Sequence, residues 1–272
     1  MTFHPISKLA QFSGIKAHTI RIWEKRYYLQ TPYREGNHRN YSLEQLKHFL
    51  NISLLVQNGY KISRLALLDT DSVSGKAKSL TEAEARHGFL VNQLIVSMNH
   101  SDTDSFEDTL DNCVYEWGIQ TSIEEIILPF MYKVGLLSYY SNRGEVHFVV
   151  TAIRNKLILG IEKVVQAQLA RKKALLFLPK DEHFDLILLY LNYQLKKAGY
   201  KVLYLGTNVS EASLKEVILE KSPEVLYTYI VPSTKTKGKS TTSFLKTEFP
   251  ALELHKIEAG IDLKQLLDLK SL

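Results

Sequence analysis

The sequence predicts a multidomain α and α/β protein. Three observations predict it: two short helical patterns joined at Ser13-Gly14, a long middle stretch of helical periodicity, and a C-terminal alternation of short apolar strands with helices. At 272 residues the chain has room for two or three compact units, each with a core of ordinary size. With 45% hydrophobic and 23% charged residues, its composition is that of a globular protein.

Ile6, Leu9 and Ala10 precede the Ser13-Gly14 turn at helical spacing, and Ile15, Ile20 and Trp23 follow it in the same way, so the segment reads as helix, turn, helix. From Tyr27 to Tyr41 a polar stretch with Pro32 and the turn-forming Glu35-Gly36-Asn37 suits a small β-hairpin. Helical periodicity resumes after Ser42, a good N-cap, with Leu46, Phe49, Leu50 and Leu54 on one face. Gly59 ends that helix before a short one over Ile62 to Leu68. Residues 69–79 are small and polar without an apolar period, and are expected to form a linker.

Four helical stretches follow, at about 81–99, 102–117, 121–138 and 145–170, and together imply a helical bundle. Strands are expected at 173–179 and 201–205 around an amphipathic helix at about 183–198, then a helix at 211–220 and a strand at 224–230. This alternation implies a parallel sheet with right-handed crossovers. Ligands of such sheets bind beyond the carboxyl ends of the strands, which directs attention to the loops at 179–183, 206–210 and 231–240.

The formal charge of +5 is unevenly placed: residues 1–68 hold ten Lys and Arg against Glu24, Glu35 and Glu44, so the rest of the chain is slightly negative. A basic end on a near-neutral protein is the footprint of nucleic-acid binding. No apolar run reaches membrane-spanning length and the N-terminus lacks a signal-peptide core, so a cytoplasmic protein without membrane contact is expected. The single cysteine, Cys113, excludes an intrachain disulfide and a multi-thiolate zinc site, and reads as a small buried hydrophobe.

Thr19, Ile20, Arg21, Trp23, Glu24, Arg26, Pro32, Arg39 and Tyr41 match the fixed positions of the MerR family, and residues 1–70 resemble its winged helix-turn-helix. The resemblance implies that the helix at about 17–27 enters the major groove of an operator while the hairpin touches the flanking backbone. The expected DNA-contacting set is Lys16, His18, Thr19, Arg21, Arg26, Arg34, His38, Arg39 and Tyr41. His18, Thr19 and Arg21 lie in the part of the second helix that meets base edges, though Arg21 suits a phosphate clamp better than a guanine. Arg34, His38 and Arg39 should contact phosphates, with Tyr41 donating its hydroxyl. Trp23 and Ile20 belong to the core, and Glu24 pairs with a neighbouring Arg. Lys16 stands where many members place a capping Ser or Thr, so the second helix is capped more weakly here.

Residues 80–272 resemble the helical bundle (80–170) and Rossmann-like, flavodoxin-like domain (171–272, shortened at its C-terminus) that bind cobalamin in corrinoid methyltransferases and light-responsive MerR-type repressors. Asp181 and His183 occupy two positions of the family's Asp-x-His-x-x-Gly motif, which implies His183 as a cobalt ligand oriented by Asp181. Leu186 replaces the glycine. Thr228-Tyr229-Ile230 aligns with the Ser-x-Leu segment lining the nucleotide-tail pocket, and its middle residue is bulky. Val146-His147 stands where the photoreceptor members carry Glu-His, and Ser138 stands near their Trp over the upper face. The expected cofactor set is therefore Asp181, His183, His147 and Thr228 around cobalamin, in a partly degraded site.

The expected protein is a DNA-binding regulator, homodimeric or larger, with a C-terminal sensing or assembly module and no enzymatic activity. Two alternatives stay open: a corrinoid-dependent methyltransferase and a ligand-independent DNA binder.

Overall fold

The computed structural model describes residues 3–36, 38–136, 144–164, 172–230 and 235–258. They divide into two compact units, Met1–Val134 with Gly144–Val149, and Gly135–Arg143 with Val150–Leu272.

The first unit opens with β1 (His4–Pro5), α1 (Ile6–Ser13), α2 (Ala17–Tyr27), β2 (Tyr33–Glu35) and β3 (His38–Tyr41). Gly14 adopts φ 71°, and its N–H closes α1 on the Ala10 carbonyl at 3.0 Å, a left-handed turn that a side chain would strain. The hairpin β2–β3 is as expected, and β1 adds an antiparallel third strand on β3. Helix α3 (Leu43–Gln57) starts in a full capping box: Gln45 N–H donates to the Ser42 hydroxyl at 3.2 Å, and Ser42 N–H donates to the Gln45 side chain at 2.9 Å. The short α4 (Ile62–Leu65) follows.

The expected linker is instead a helix, α5 (Thr70–Lys78). Asp69 caps it by accepting from Ser72 N–H at 2.7 Å, and Val73 and Ala77, one turn apart, are buried where α5 packs on α3. Two small apolar residues suffice because the helix spans only two and a half turns, so residues 71–79 do not separate compact units.

The bundle helices α6 (Ala83–His100), α7 (Thr103–Thr121) and α8 (Leu128–Val134), with a π-helical segment Ser122–Ile127 leading into α8, lie close to their expected positions. They pack in the same unit as the N-terminal domain. Asn92 on α6 donates to the Leu50 carbonyl of α3 at 3.0 Å, and Gln11 on α1 donates to the Lys133 carbonyl of α8 at 3.0 Å. Gly88 lets α6 approach α3 closely, since a Cβ there would lie 2.8 Å from Leu54 Cδ1. Phe106 meets Phe130 and Phe148 edge-on in the bundle interior, and Cys113 is buried as expected.

Helix α9 (Gly144–Lys163) begins in the first unit and continues into the second. There follow β4 (Lys173–Pro179), α10 (Leu186–Lys197), β5 (Lys201–Val209), α11 (Glu211–Lys221), β6 (Val225–Ile230), α12 (Lys235–Glu248) and β7 (Glu253–Glu258). The four strands are parallel in the order β5-β4-β6-β7. Leu175 and Phe177 face Leu214 and Ile218 of α11 and Leu245 of α12, while the alternate residues Leu176 and Leu178 face the side where α10 packs. Central strand β4 is accordingly buried from Ala174 on, the mark of a sheet covered on both faces.

Two expectations change here. Residues 235–240 of the expected loop 231–240 belong to α12, and the helix expected from 183 starts at Leu186 and is buried on every side through Leu195 rather than amphipathic. One strand, β7, follows Pro250, and residues 259–272 lie outside those described.

Candidate functional site

The basic end presents a continuous cationic face. On α2, Ile20 and Trp23 turn inward as expected, which leaves His18, Arg21, Ile22, Lys25 and Arg26 exposed on the opposite side and Thr19 half-buried beside them. Lys16 is the N-cap of α2 and makes no side-chain cap hydrogen bond, so its exposed ammonium extends the same face. Arg34 and His38 are exposed on the hairpin, and Arg34 sits opposite Arg39 in its register.

Four elements, β1, α1, α2 and β3, converge on a cleft of about 370 Å³ lined by Pro5, Ile6, Ser7, Arg21, His38, Arg39 and Asn40. Its floor is the N-terminus of α1, which carries no side-chain cap and no acid in its first turn. Open N–H groups and a positive helix end favour an anion, and Arg21 and Arg39 add two permanent charges. Arg39 is held in place: its Nε lies 3.3 Å from Glu24 Oε2, which makes Glu24 the structural partner expected of it.

Tyr41 departs from expectation. It is fully buried, packs edge-on against Phe49, and donates its hydroxyl to Glu24 Oε1, so it supports the cleft from beneath rather than reaching a phosphate. Burial, and then the Glu24 hydrogen bond, push its phenol well above the usual tyrosine range. Glu24 thus joins hairpin to helix, binding Arg39 with one oxygen and Tyr41 with the other. Ile22 and Lys25 were not among the expected contacts. The signal was present in their spacing, since 18, 21, 22 and 25 fall on one helical face.

The second candidate site is the carboxyl edge of the sheet. Chain order reverses between β5 and β6 on either side of β4, so the loop after β4 stands at the topological switch point. His183 is exposed in that loop. Asp181 adopts φ 68° and Asn208, at the end of β5, φ 59°. The two are joined: Asp181 N–H donates to the Asn208 side chain at 2.9 Å, and Asn208 N–H returns to the Glu182 carbonyl at 3.1 Å. Arg154 on α9 holds Asp185, the N-cap of α10, with two nitrogens at 2.7 and 3.1 Å.

Around this loop the interior is filled. Leu186, in the place of the family's glycine, is 0% exposed, and Tyr229 is 2% exposed, with burial first and Glu182 second raising its phenol pKa. Thr228 is buried with its hydroxyl unpartnered, and Tyr204 is half-buried near Asp185. Leu186 and Tyr229 are thus bulky, buried side chains at positions where the family's motif has a glycine and its Ser-x-Leu segment, so the lining present departs from the one the resemblance implies. His147 is exposed on the first turn of α9, in the first unit, and Ser138 lies outside the described residues. Among the described residues no group of three or more His, Cys, Asp or Glu is placed to hold a metal ion, and no helix is long and apolar enough to cross a membrane.

Comparison with known proteins agrees with both halves. Residues 5–69 match the MerR HTH family regulatory protein domain. The HTH-type transcriptional repressor CarA of Myxococcus xanthus is 27% identical over 225 residues, covering 81% of this chain and 74% of CarA. The repressor CarH of the same organism is 23% identical over 230 residues, covering 80% of this chain and 76% of CarH. Among solved structures, the monomethylamine corrinoid protein of Methanosarcina barkeri superposes with a TM-score of 0.53 at 12% identity, covering 66% of this chain and 89% of that protein, which is a likeness of fold. Residues 5–69 thus match the MerR helix-turn-helix family model, and the chain is a DNA-binding transcriptional regulator whose C-terminal module has a fold like that of a corrinoid protein.

Proposed function

We propose that α2 enters the major groove with His18, Thr19, Ile22 and Lys25 toward the bases, while the Arg21–Arg39 cleft grips a backbone phosphate. The carrying observation is that cleft, where two arginines and an uncapped helix start converge beside the exposed face of α2. Lys16, Arg26, Arg34 and His38 extend the grip along the backbone. Binding follows counterion release, so affinity falls steeply with salt. The protein acts in the cytoplasm as a homodimer or larger assembly, because one such module reads only a half-site. Its relatives being repressors, we read the C-terminal module as serving assembly and regulation rather than methyl transfer. A binding isotherm on a selected operator at several salt concentrations tests the grip. Unchanged affinity and salt slope in Arg21→Ala would refute it.

A second reading, cobalt ligation by His183, is favoured by the exposure of that imidazole at the switch point. The lining around it departs from the family's, as described above. Visible absorption of hydroxocobalamin with wild type and His183→Ala decides: a spectral change in the first and its loss in the second would establish the ligand.

A further inference from the structure

On α2, Ile22 is 42% exposed on the face shared by His18, Arg21 and Lys25, while Ile20 and Trp23 supply the buried face. Neither packing nor helix stability accounts for it. A β-branched residue loses side-chain freedom in a helix, and straight-chain polar residues serve better at exposed positions. A large apolar side chain also gains nothing from water. We propose that Ile22 reads the 5-methyl group of a thymine in the major groove, and so sets base preference where the surrounding cations set only position.

The inference rests on the docking of α2 proposed above. Given that docking, direction follows from helix geometry. Arg21 lines the phosphate cleft, and Ile22, the next residue, is turned by roughly 100° away from it, toward the groove. Lys25, one turn on, continues that line with a charge that suits the backbone or an acceptor edge. Ile22 has no donor or acceptor, so it cannot serve a phosphate or a polar base edge. Of the groups at the major-groove edge, only the thymine methyl offers apolar contact. Burying that methyl against Ile22 removes about one CH₃ group from water, which corresponds to about fourfold in affinity.

The test begins by selecting the tightest duplexes from a random pool with the full-length protein. Each thymine of the selected site is then replaced singly by deoxyuridine, which lacks only the methyl, and affinities are measured for wild type, Ile22→Val and Ile22→Ala. At one thymine, or a symmetry-related pair, wild type loses about fourfold on replacement, Ile22→Val loses most of that, and Ile22→Ala binds both duplexes equally. Losses at other thymines stay the same in all three proteins. A selected site whose uracil profile is identical in wild type and Ile22→Ala, or in which no thymine responds, overturns the inference and leaves the docking standing. Selection that enriches no sequence overturns the docking and the inference with it. Because Ile22 is outside the core, matched thermal unfolding of the variants confirms that the comparison is made between folded proteins.

Discussion

The cationic face of the first unit and the sheet edge of the second are built from opposite materials. At the first, working side chains stand in solvent and the buried ones hold them: Glu24 and Tyr41 lie beneath Arg39 as a bracket beneath a hook. At the second, Tyr229, Leu186 and Thr228 are buried in the interior, while Lys180, Asp181 and His183 stand exposed in the loop. What separates the two is whether the polar groups face solvent or are enclosed by hydrocarbon.

The sharpest way to break this comparison is to remove the cleft. Arg21→Ala combined with Arg39→Ala is expected to weaken operator binding by about 100-fold and to flatten the salt dependence by about two units of slope, as two charge-assisted phosphate contacts disappear. His183→Ala in the same assay should leave both quantities unchanged. If His183→Ala weakened DNA binding as much as the double variant, the two regions would not be as different as described.

The enclosed character of the second unit has an alkaline signature. Tyr227, buried in β6, has its phenol pushed from 10.0 up to about 12, by burial first and the neighbouring Tyr200 second. A raised folded value means that the native state holds its proton while the unfolded chain loses it, so stability is fully present below pH 10 and declines as pH rises toward 12. By pH 11 Tyr227 alone contributes a loss of roughly 1 kcal/mol. Denaturant midpoints between pH 9 and 11, with Tyr227→Phe as the flattened control, measure it. A variant as pH-sensitive as wild type would reject the assignment to this residue.

A smaller effect separates support from contact at the DNA face. Tyr41→Phe leaves Glu24 short of one donor in a half-buried position and should cost about 1 kcal/mol of stability. Tyr41 being buried, the salt slope of operator binding should not move. A reduced slope with unchanged stability would return the hydroxyl to the phosphate role its sequence position implied.

That misplacement shows what local pattern carries and what it does not. Helices α1, α2 and α3, the hairpin, the Ser42 cap and strand β4 were legible because periodicity, turn residues and caps are local properties. Tyr41 was not, because the same alternation fits an outward or an inward tyrosine until β3 is laid on α3 and Phe49. Helix α5 was hidden by its composition: Val73 and Ala77 are its only buried positions, and its stability comes from α3 rather than from its own sequence. Strand β7 sets apolar Leu254 and Ile257 on opposite faces among polar Glu253, His255 and Lys256, a pattern without clean alternation that becomes a strand only once β6 is there to pair with it. The Asp181 and His183 match was legible as a motif, whereas the burial of Leu186 and Tyr229 around it is a tertiary fact.

The smallest expected effect probes how firmly the DNA end is seated on the bundle. Gly88 faces Leu54 across the α6–α3 contact, and the 2.8 Å between a built Cβ and Leu54 Cδ1 is too short to persist. The obstructing atom is the tip of a leucine, which can rotate, so Gly88→Ala pays an overpacking cost near the low end of the usual range, about 1 kcal/mol. Replacing glycine within a helix returns about 1 kcal/mol, and the two terms nearly cancel. Net stability should therefore change by less than about 0.5 kcal/mol. Gly88→Val keeps the clash, enlarges it and loses part of the helical gain, so it should cost about 2 kcal/mol. Shortening the partner settles the cause. In Leu54→Ala the obstruction is gone, and adding Gly88→Val to that background should cost measurably less than in wild type, a coupling read from a double-mutant cycle in urea. Additive costs would mean that α6 does not meet α3 at Gly88, and that the DNA-binding face rests on something other than the bundle.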